Sequence, residues 1–458
     1  MHTKSIFIFR RDLRLEDNTA LIKALKETKE VIPIFIFSEE QIKNNEYKSN
    51  NAIQFMINSL KELKEEIEQK NGYLNILNGN QYEIIKKILR ETKAQTIYQN
   101  KDYTPYSKKR DEQIKKICEE TNTRLILCTD YVLNSPEEIL KENKQPYTIF
   151  TPYYRKAIQK ETKKPEKTKN KNYSKIKLKE TINIKELKYE KNPNIKLKGG
   201  RKEALKILNN IKNYNNYKQE KDIPIKDATT HLSAHIKFGT ISIRETYHKI
   251  KKEFGITHEL IRQLIWRDFF TQIAHYFPYV FEKSFRKKYD KIKWENNEQK
   301  FTSWKKGETG YPIIDAGMKE LNKTGYMHNR TRMIVASFLI KDLRINWQWG
   351  EKYFAQKLID YDPSINNGNW QWAASTGCDS QPYFRIFNPT LQQQKFDPEC
   401  KYIKKWIPEL KELTPKQIHK LTERIKLKKE HNQTQYPDPI IDHYKEKEKT
   451  LNMYKSIE

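Results

Sequence analysis

The sequence predicts an α/β N-terminal domain built on a parallel, Rossmann-like sheet, joined by a long linker to an all-α domain. Three observations carry the prediction. Up to residue 130, short apolar runs alternate with amphipathic stretches, whereas residues 131–200 lose that periodicity. Residues 201–458 then carry apolar side chains at spacings of three and four, without strand-like alternation. A chain of 458 residues is also about three times the size of a modal domain, so one core is not expected.

Taken in order, residues 6–9, 31–37, 74–77, 96–98 and 124–127 read as strands, and 20–26, 52–69, 82–93 and 106–121 as the helices between them. Strands linked by helices of this length form βαβ units, which places parallel strands side by side with helices on both faces. Residues 152–200 are dense in Lys and Asn with scattered Pro, and read as a connector running over the surface. Beyond residue 201, Ala204-Leu205-Leu208-Ile211 and Ile334-Phe338-Leu339 have helical spacing. The Pro-, Gly- and Asn-rich breaks at 360–368 and 387–389 read as loops between helices.

Composition narrows the function classes. Lys and Arg number 88 against 59 Asp and Glu, a net charge of +29 that creates a field attractive to polyanions, nucleic acid first. Hydrophobic residues at 36% and aromatics at 12% are enough to build cores. Cys118, Cys128, Cys378 and Cys400 stand far apart with no C-x-x-C pair, which suggests neither a zinc ribbon nor a disulfide framework and fits a reducing cytosol. No 18-residue apolar window occurs, and the opening run at 5–9 is too short for a signal peptide, so no membrane contact is expected. G-x-G-x-x-G, G-x-x-x-x-G-K-[ST] and H-E-x-x-H are all absent, leaving no support for dinucleotide, P-loop or zinc chemistry, and no metal site is expected.

Three segments of the C-terminal half are long and specific. They are Gly310-Tyr311-Pro312-Ile313-Ile314-Asp315-Ala316-Gly317-Met318, His328-Asn329-Arg330-Thr331-Arg332-Met333, and Asp360-Tyr361-Asp362 with the run Asn366-Asn367-Gly368-Asn369-Trp370-Gln371-Trp372. Together with Phe7-Ile8-Phe9-Arg10-Arg11-Asp12-Leu13-Arg14 and Tyr436-Pro437-Asp438-Pro439, the chain resembles the photolyase/cryptochrome flavoprotein family, most closely class I cyclobutane pyrimidine dimer photolyases. The resemblance covers nearly the whole chain. It implies an antenna domain over 1–130, a linker over 131–200, and a helical domain over 201–458 that holds FAD and binds DNA. The implied reaction is light-dependent repair by electron transfer from photoexcited reduced FAD to a flipped-out dimer, a carbon–carbon lyase reaction. Such chemistry asks the protein for binding, electronics and dryness rather than an acid–base apparatus.

On the residues alone, Thr229-Thr230-His231-Leu232-Ser233 at a helix start is a cap or a phosphate cradle. The resemblance implies the cradle, with Thr229, Thr230, Leu232 and Ser233 at the FAD phosphates and Tyr217 upstream on the cofactor. It further assigns Arg332 and Asp360 to an ion pair beside the isoalloxazine, Asp362 to the flavin ring edge, Asn366 to flavin N5, and Arg267 and Asn329 to the cofactor set. Trp370, Trp347 and Trp294 match the three tryptophans that relay an electron to the flavin, although a single Trp is more commonly a core residue. Trp266 and Trp372 are expected to wall the flipped dimer, with Gln263, Asn329 and Met333 beside it and Arg385 at DNA phosphates. Arg244, Arg267, Arg286, Lys287, Lys288 and Arg330 are further candidate phosphate contacts.

Two departures bear on substrate. Gln263 stands where dimer photolyases normally carry Glu, keeping hydrogen bonding but giving up a proton and a charge. The (6-4) photolyases also use Gln there, but rely on histidines where this chain has Asn329 and Met333. Tyr326 replaces the usual tryptophan, with packing expected to be conserved. An antenna chromophore is expected at 100–111, with Asp102 a candidate contact; the pattern is more like deazaflavin-type members, yet Ala52 stands where those place Arg, so deazaflavin, folate and FMN all stay open. The implied partner is UV-damaged DNA, and the chain is expected to be monomeric and cytoplasmic, nucleoid-associated in a prokaryote, without an obligate protein partner. The rival readings are a cryptochrome-type blue-light photoreceptor, a (6-4) photolyase, and a flavoprotein that binds DNA without turnover. Asn366, where plant cryptochromes usually carry Asp, and the short stretch after Asp442 argue against the receptor.

Overall fold

The structure, a computed structural model, describes residues 2–43, 45–423 and 435–457. Its N-terminal part is β1 (His2–Phe9), α1 (Thr19–Glu27), β2 (Thr28–Ser38), α2 (Asn50–Glu68), β3 (Asn75–Gly79), α3 (Gln81–Thr92), β4 (Thr96–Asn100), α4 (Pro105–Glu120) and β5 (Arg124–Cys128). All strand pairs are parallel, in the order β3-β2-β1-β4-β5. The period of two divides the central strands cleanly. Phe7, Phe9, Phe35 and Phe37 face α1 and α2, whereas Ile6, Ile8, Ile32, Ile34 and Ile36 face α3 and α4. Both faces are buried, which explains why these strands read as nearly continuous apolar runs. Strand order reverses between β1 and β4, so the carboxyl ends of those strands form the crevice where open α/β sheets take ligands.

The stretch read as a surface connector is partly built into the sheet. Ser174 donates its backbone N–H to Val31 O at 2.7 Å and Val31 donates to Asn172 O at 2.9 Å, extending β2 where β3 does not reach. Tyr173, Leu178, Ile184 and Leu197 are buried against the α/β core. These anchors are single apolar residues spaced irregularly among lysines, so no period betrays them.

The C-terminal part is helical. The elements used below are α5 (Phe150–Ala157), α6 (Leu232–Phe238), α7 (Ile243–Phe254), α8 (Glu259–Tyr276), α9 (Asn329–Ser337), α10 (Trp347–Lys357) and α11 (Pro363–Ala374). The loop expected over 360–368 is corrected: α11 begins inside it, at Pro363. Asp362 caps that helix, accepting from Ser364 N at 3.0 Å and Ile365 N at 3.2 Å, and Pro363 takes the first helical position, where its missing N–H costs nothing. Gly368 suits the helix because a Cβ there would lie 2.1 Å from Phe270 Cδ1, so α8 and α11 pack closer than any side chain allows.

A buried ion cluster joins the two parts. Asp130, just after β5, accepts from Arg14 at 2.6 Å and from Arg244 of α7 at 2.7 Å, while Arg244 also bonds Asp17 at 3.0 Å. Burial alone raises the Asp130 carboxyl, but the two guanidiniums outweigh it and hold it far below its ordinary value. Arg244 is therefore corrected from a candidate phosphate contact to an internal tie.

Candidate functional site

A cavity of about 570 Å³ opens in the helical part, lined from α6, α7, α8, α9, α10 and α11. It gathers Tyr217, Thr229, Thr230, Leu232, Ser233, Arg267, Asn329, Arg332, Asp360, Asp362 and Asn366 with Gln263, Trp266, Met333, Trp370 and Trp372. These residues lie up to 155 positions apart in sequence, and the helices bring them to one space.

Its polar side is built around two carboxylates. Asp360 Oδ2 accepts from Arg332 Nη2 at 3.0 Å and from Ser233 Oγ at 2.7 Å, and Arg332 is itself anchored to Met327 O at 2.7 Å. Burial raises Asp360, and Arg332 more than offsets that, so the carboxyl stays below its ordinary value. Asp362 is bonded to Arg11, from the loop after β1, and accepts from the Tyr131 hydroxyl at 2.5 Å. Burial again raises it, while Arg11, Arg267 and that hydroxyl hold it well below the carboxylate range. Tyr131 carries guanidiniums close over its ring, Arg11 at 4.0 Å and Arg267 at 3.8 Å from the centroid.

Before α6 the chain turns through His231 in the left-handed conformation (φ 55°), pinned by Asp227 at 2.8 Å and edge-on to Tyr326 at 4.8 Å. Tyr326 is buried, with its hydroxyl 3.4 Å from Thr229 Oγ1. Asn366 donates its amide to Glu351 O at 3.1 Å, which turns its carbonyl oxygen the other way. Glu351, buried in α10, accepts from Asn367 at 3.0 Å; burial pushes its carboxyl up to about 8 and that hydrogen bond only partly opposes the rise. Lys237 also lines the cavity, pushed down to about 7 by burial and then by Arg11.

Four of the sequence-predicted residues lie elsewhere. Trp347 is buried at the start of α10 and Trp294 is only partly buried, edge-on to Tyr454 at 6.4 Å. Trp370, whose ring meets Phe354 at 4.9 Å and Trp304 at 6.3 Å, is the member of the three that reaches the cavity. Arg385 is exposed on the loop beyond α11. Asp102 sits at the β1/β4 crevice, paired with Arg11 at 3.4 Å. Arg10 and Arg110 stand at the same end of the sheet, and Arg10 Nε and Nη2 and Arg110 Nη2 are buried without a hydrogen-bond partner.

Residues 260–456 match the family described as FAD binding domain of DNA photolyase, and residues 5–170 match DNA photolyase. A deoxyribodipyrimidine photo-lyase of Alkalihalophilus pseudofirmus is 34% identical, covering 98% of this chain and 97% of the relative. The chain belongs to the DNA photolyase family. An archaeal photolyase from Sulfolobus tokodaii, whose crystal structure contains two FAD molecules, is 44% identical with a TM-score of 0.89, covering 99% of this chain and 100% of that one. A cryptochrome from Synechocystis sp. PCC6803 is 26% identical with a TM-score of 0.88, covering 99% and 100%.

FAD is accordingly the cofactor of this photolyase-family chain, and the cavity fits it. Asp360 Oδ1 is a buried acceptor and Arg267 Nη2 a buried donor, both without a protein partner and both on residues that line the cavity. A flavin nucleotide offers donors and acceptors for such groups. Sequence reasoning did not single out Arg11, Tyr131, Lys237 or Glu351 for the site. Arg11 and Tyr131 come from beyond the carboxyl ends of β1 and β5, where open sheets take ligands, a rule that needs the strand order and so was out of reach of the sequence. Among the described residues no helix is long and apolar enough to cross a membrane, and no group of three His, Cys, Asp or Glu is placed to hold a metal.

Proposed function

We propose that this protein repairs cyclobutane pyrimidine dimers in DNA under light. The observation that carries the reading is that the flavin-holding set and the aromatic wall Trp266 and Trp372 line one and the same cavity. Reduced FAD bound there supplies the light-excited electron that opens the dimer and is recovered afterwards. The chain's own residues bind and orient. Asp360, Arg332, Asp362 and the Thr229–Ser233 turn would hold the cofactor, and Asn366, whose amide is engaged by Glu351 O, would offer its carbonyl oxygen to it. Trp266 and Trp372 present apolar faces to an extruded dimer, a step for which photolyases are a standard example, and Gln263 offers hydrogen bonds to pyrimidine edges. Trp370 and Trp347, both buried, and Trp294, partly buried, are the residues through which the cofactor would be recharged.

The (6-4) reading lacks an acid. Asn329 and Met333 occupy the relevant positions, with the amide 3.7 Å from the thioether, and neither titrates. The neighbouring His328 is buried, and burial pushes it down to about 4. At the β1/β4 crevice the unpartnered N–H groups of Arg10 and Arg110 suit an anionic group, and the two FAD molecules of the Sulfolobus tokodaii protein support a phosphate-bearing flavin as the antenna here.

The test is blue-light irradiation of the purified, reduced protein with oligonucleotides carrying either lesion. Monomers regained from cyclobutane dimers alone support the proposal. Regain from (6-4) lesions, or none from either with FAD bound, overturns it, the latter in favour of the photoreceptor or of a DNA-binding flavoprotein. An absorption spectrum of the extracted chromophores, with two flavins per chain expected, tests the antenna.

A further inference from the structure

Phe150 is fully buried although it belongs to the segment between the two lobes. Its ring lies face to face on the Trp266 indole, with centroids 3.5 Å apart and planes 7° from parallel. With that face taken, the Arg262 guanidinium, 5.0 Å above the ring centroid, stands on the other. Arg262 and Trp266 are four residues apart on α8, hence on one face of the helix. The helix thus grips Phe150 between two of its own side chains. Complete face-to-face overlap of two aromatic rings is opposed by their quadrupoles, and a cation on the outer face offsets this by drawing on the same π density. Phe269, edge-on to Phe150 at 5.7 Å, closes the side.

The backbone of Phe150 is fixed as well. It opens α5, whose cap residue Ile149 provides no side-chain acceptor, and its N–H donates instead to Asp379 Oδ2 at 3.0 Å. Asp379 lies on the loop that carries Arg385. Trp266 itself is only partly buried and lines the cavity, with the Phe270 ring stacked near it at 5.4 Å.

We propose that Phe150 is a positioning residue for lesion recognition: by stacking beneath Trp266 it sets the plane of the indole against which an extruded dimer rests. This rests on the repair reading above. The readout is the ratio of dissociation constants for undamaged and dimer-containing duplex, measured in the dark on FAD-loaded protein. Phe150→Leu keeps an apolar side chain without a flat face and is expected to lower that ratio roughly two- to tenfold, the scale of one lost aromatic stack. In a Trp266→Phe background the same change is expected to have less than half that effect, because the group being positioned is altered. A general loss of stability does not produce this coupling. Arg262→Met removes the outer layer while leaving Phe150 in place, and serves if Phe150→Leu loses FAD; any loss of a phosphate contact weakens both duplexes alike and cancels in the ratio. An unchanged ratio in both variants, or equal effects of Phe150→Leu in the two backgrounds, overturns the proposal. A wild-type protein without preference for the dimer overturns the repair reading and this proposal together.

Discussion

Gly350→Ala probes the packing that holds Trp370 in place. Gly350 lies one turn beyond Trp347 in α10, and a Cβ there would lie 2.2 Å from Trp370 Cη2, 2.5 Å from Cζ3 and 2.6 Å from Leu339 Cδ2. To reach ordinary contact the indole edge must retreat by about 1.2 Å. Little space receives it, because Trp304 is fully buried and pinned through Nε1 to Val335 O at 3.0 Å. Overpacking of this kind costs about 1–3 kcal/mol, which in a unit of this size lowers Tm by roughly 2–10 °C. Trp370 is then displaced relative to the cavity, and light-driven reduction of the oxidised cofactor by an external thiol is expected to slow. Thermal unfolding followed by circular dichroism, with bleaching of the flavin band under blue light, reads both effects. Lys352→Ala in the same helix, which removes only a surface pair with Glu46 at 2.7 Å, is the control expected to change neither. Wild-type Tm and bleaching rate in Gly350→Ala would refute the packing argument.

Three further outcomes are expected. Burial pushes the Glu351 carboxyl up to about 8 in the folded protein against an ordinary value of 4.5 in the unfolded chain, so between these the folded state holds a proton that the unfolded chain has released. Its contribution is full below about 4.5, falls by about 1.4 kcal/mol per pH unit above that, and levels off above about 8; Glu351→Gln should therefore lose less stability than wild type from pH 5.5 to 8.5 in urea titrations, and parallel curves would contradict the assignment. Asp130→Ala leaves Arg14 without its paired carboxylate and Arg244 with Asp17 alone, and its urea midpoint should report a loss of about 3–5 kcal/mol. Arg385→Ala should leave Tm unchanged and reduce the slope of log K against log salt for duplex binding by about 1; an unchanged slope would remove Arg385 from the phosphate contacts.

What the sequence revealed followed from periodicity and from contiguous motifs. The parallel sheet was legible because short apolar runs such as those of β1 and β2 are separated by stretches with helical spacing. Asn366 and Trp370 were legible because they sit in one unbroken run. The segment from Asp360 was misread as a loop because Gly and Asn signal turns locally, whereas Gly368 is needed for the approach of Phe270. Arg244 looked like a surface cation, since nothing near it in sequence shows that Asp17 and Asp130 enclose it. Arg11, Tyr131 and Phe150 each touch a cavity residue more than 100 positions away, Asp362 for the first two and Trp266 for the third, and no local pattern encodes such contacts.

The most direct test of the account is the excited-state lifetime of reduced FAD in the protein, measured with and without DNA. A dimer-containing oligonucleotide should shorten the lifetime through electron transfer to the lesion in the cavity, and undamaged DNA of the same sequence should leave it unchanged. An unaltered lifetime with the dimer-containing strand demonstrably bound would contradict the placement of cofactor and substrate in one cavity.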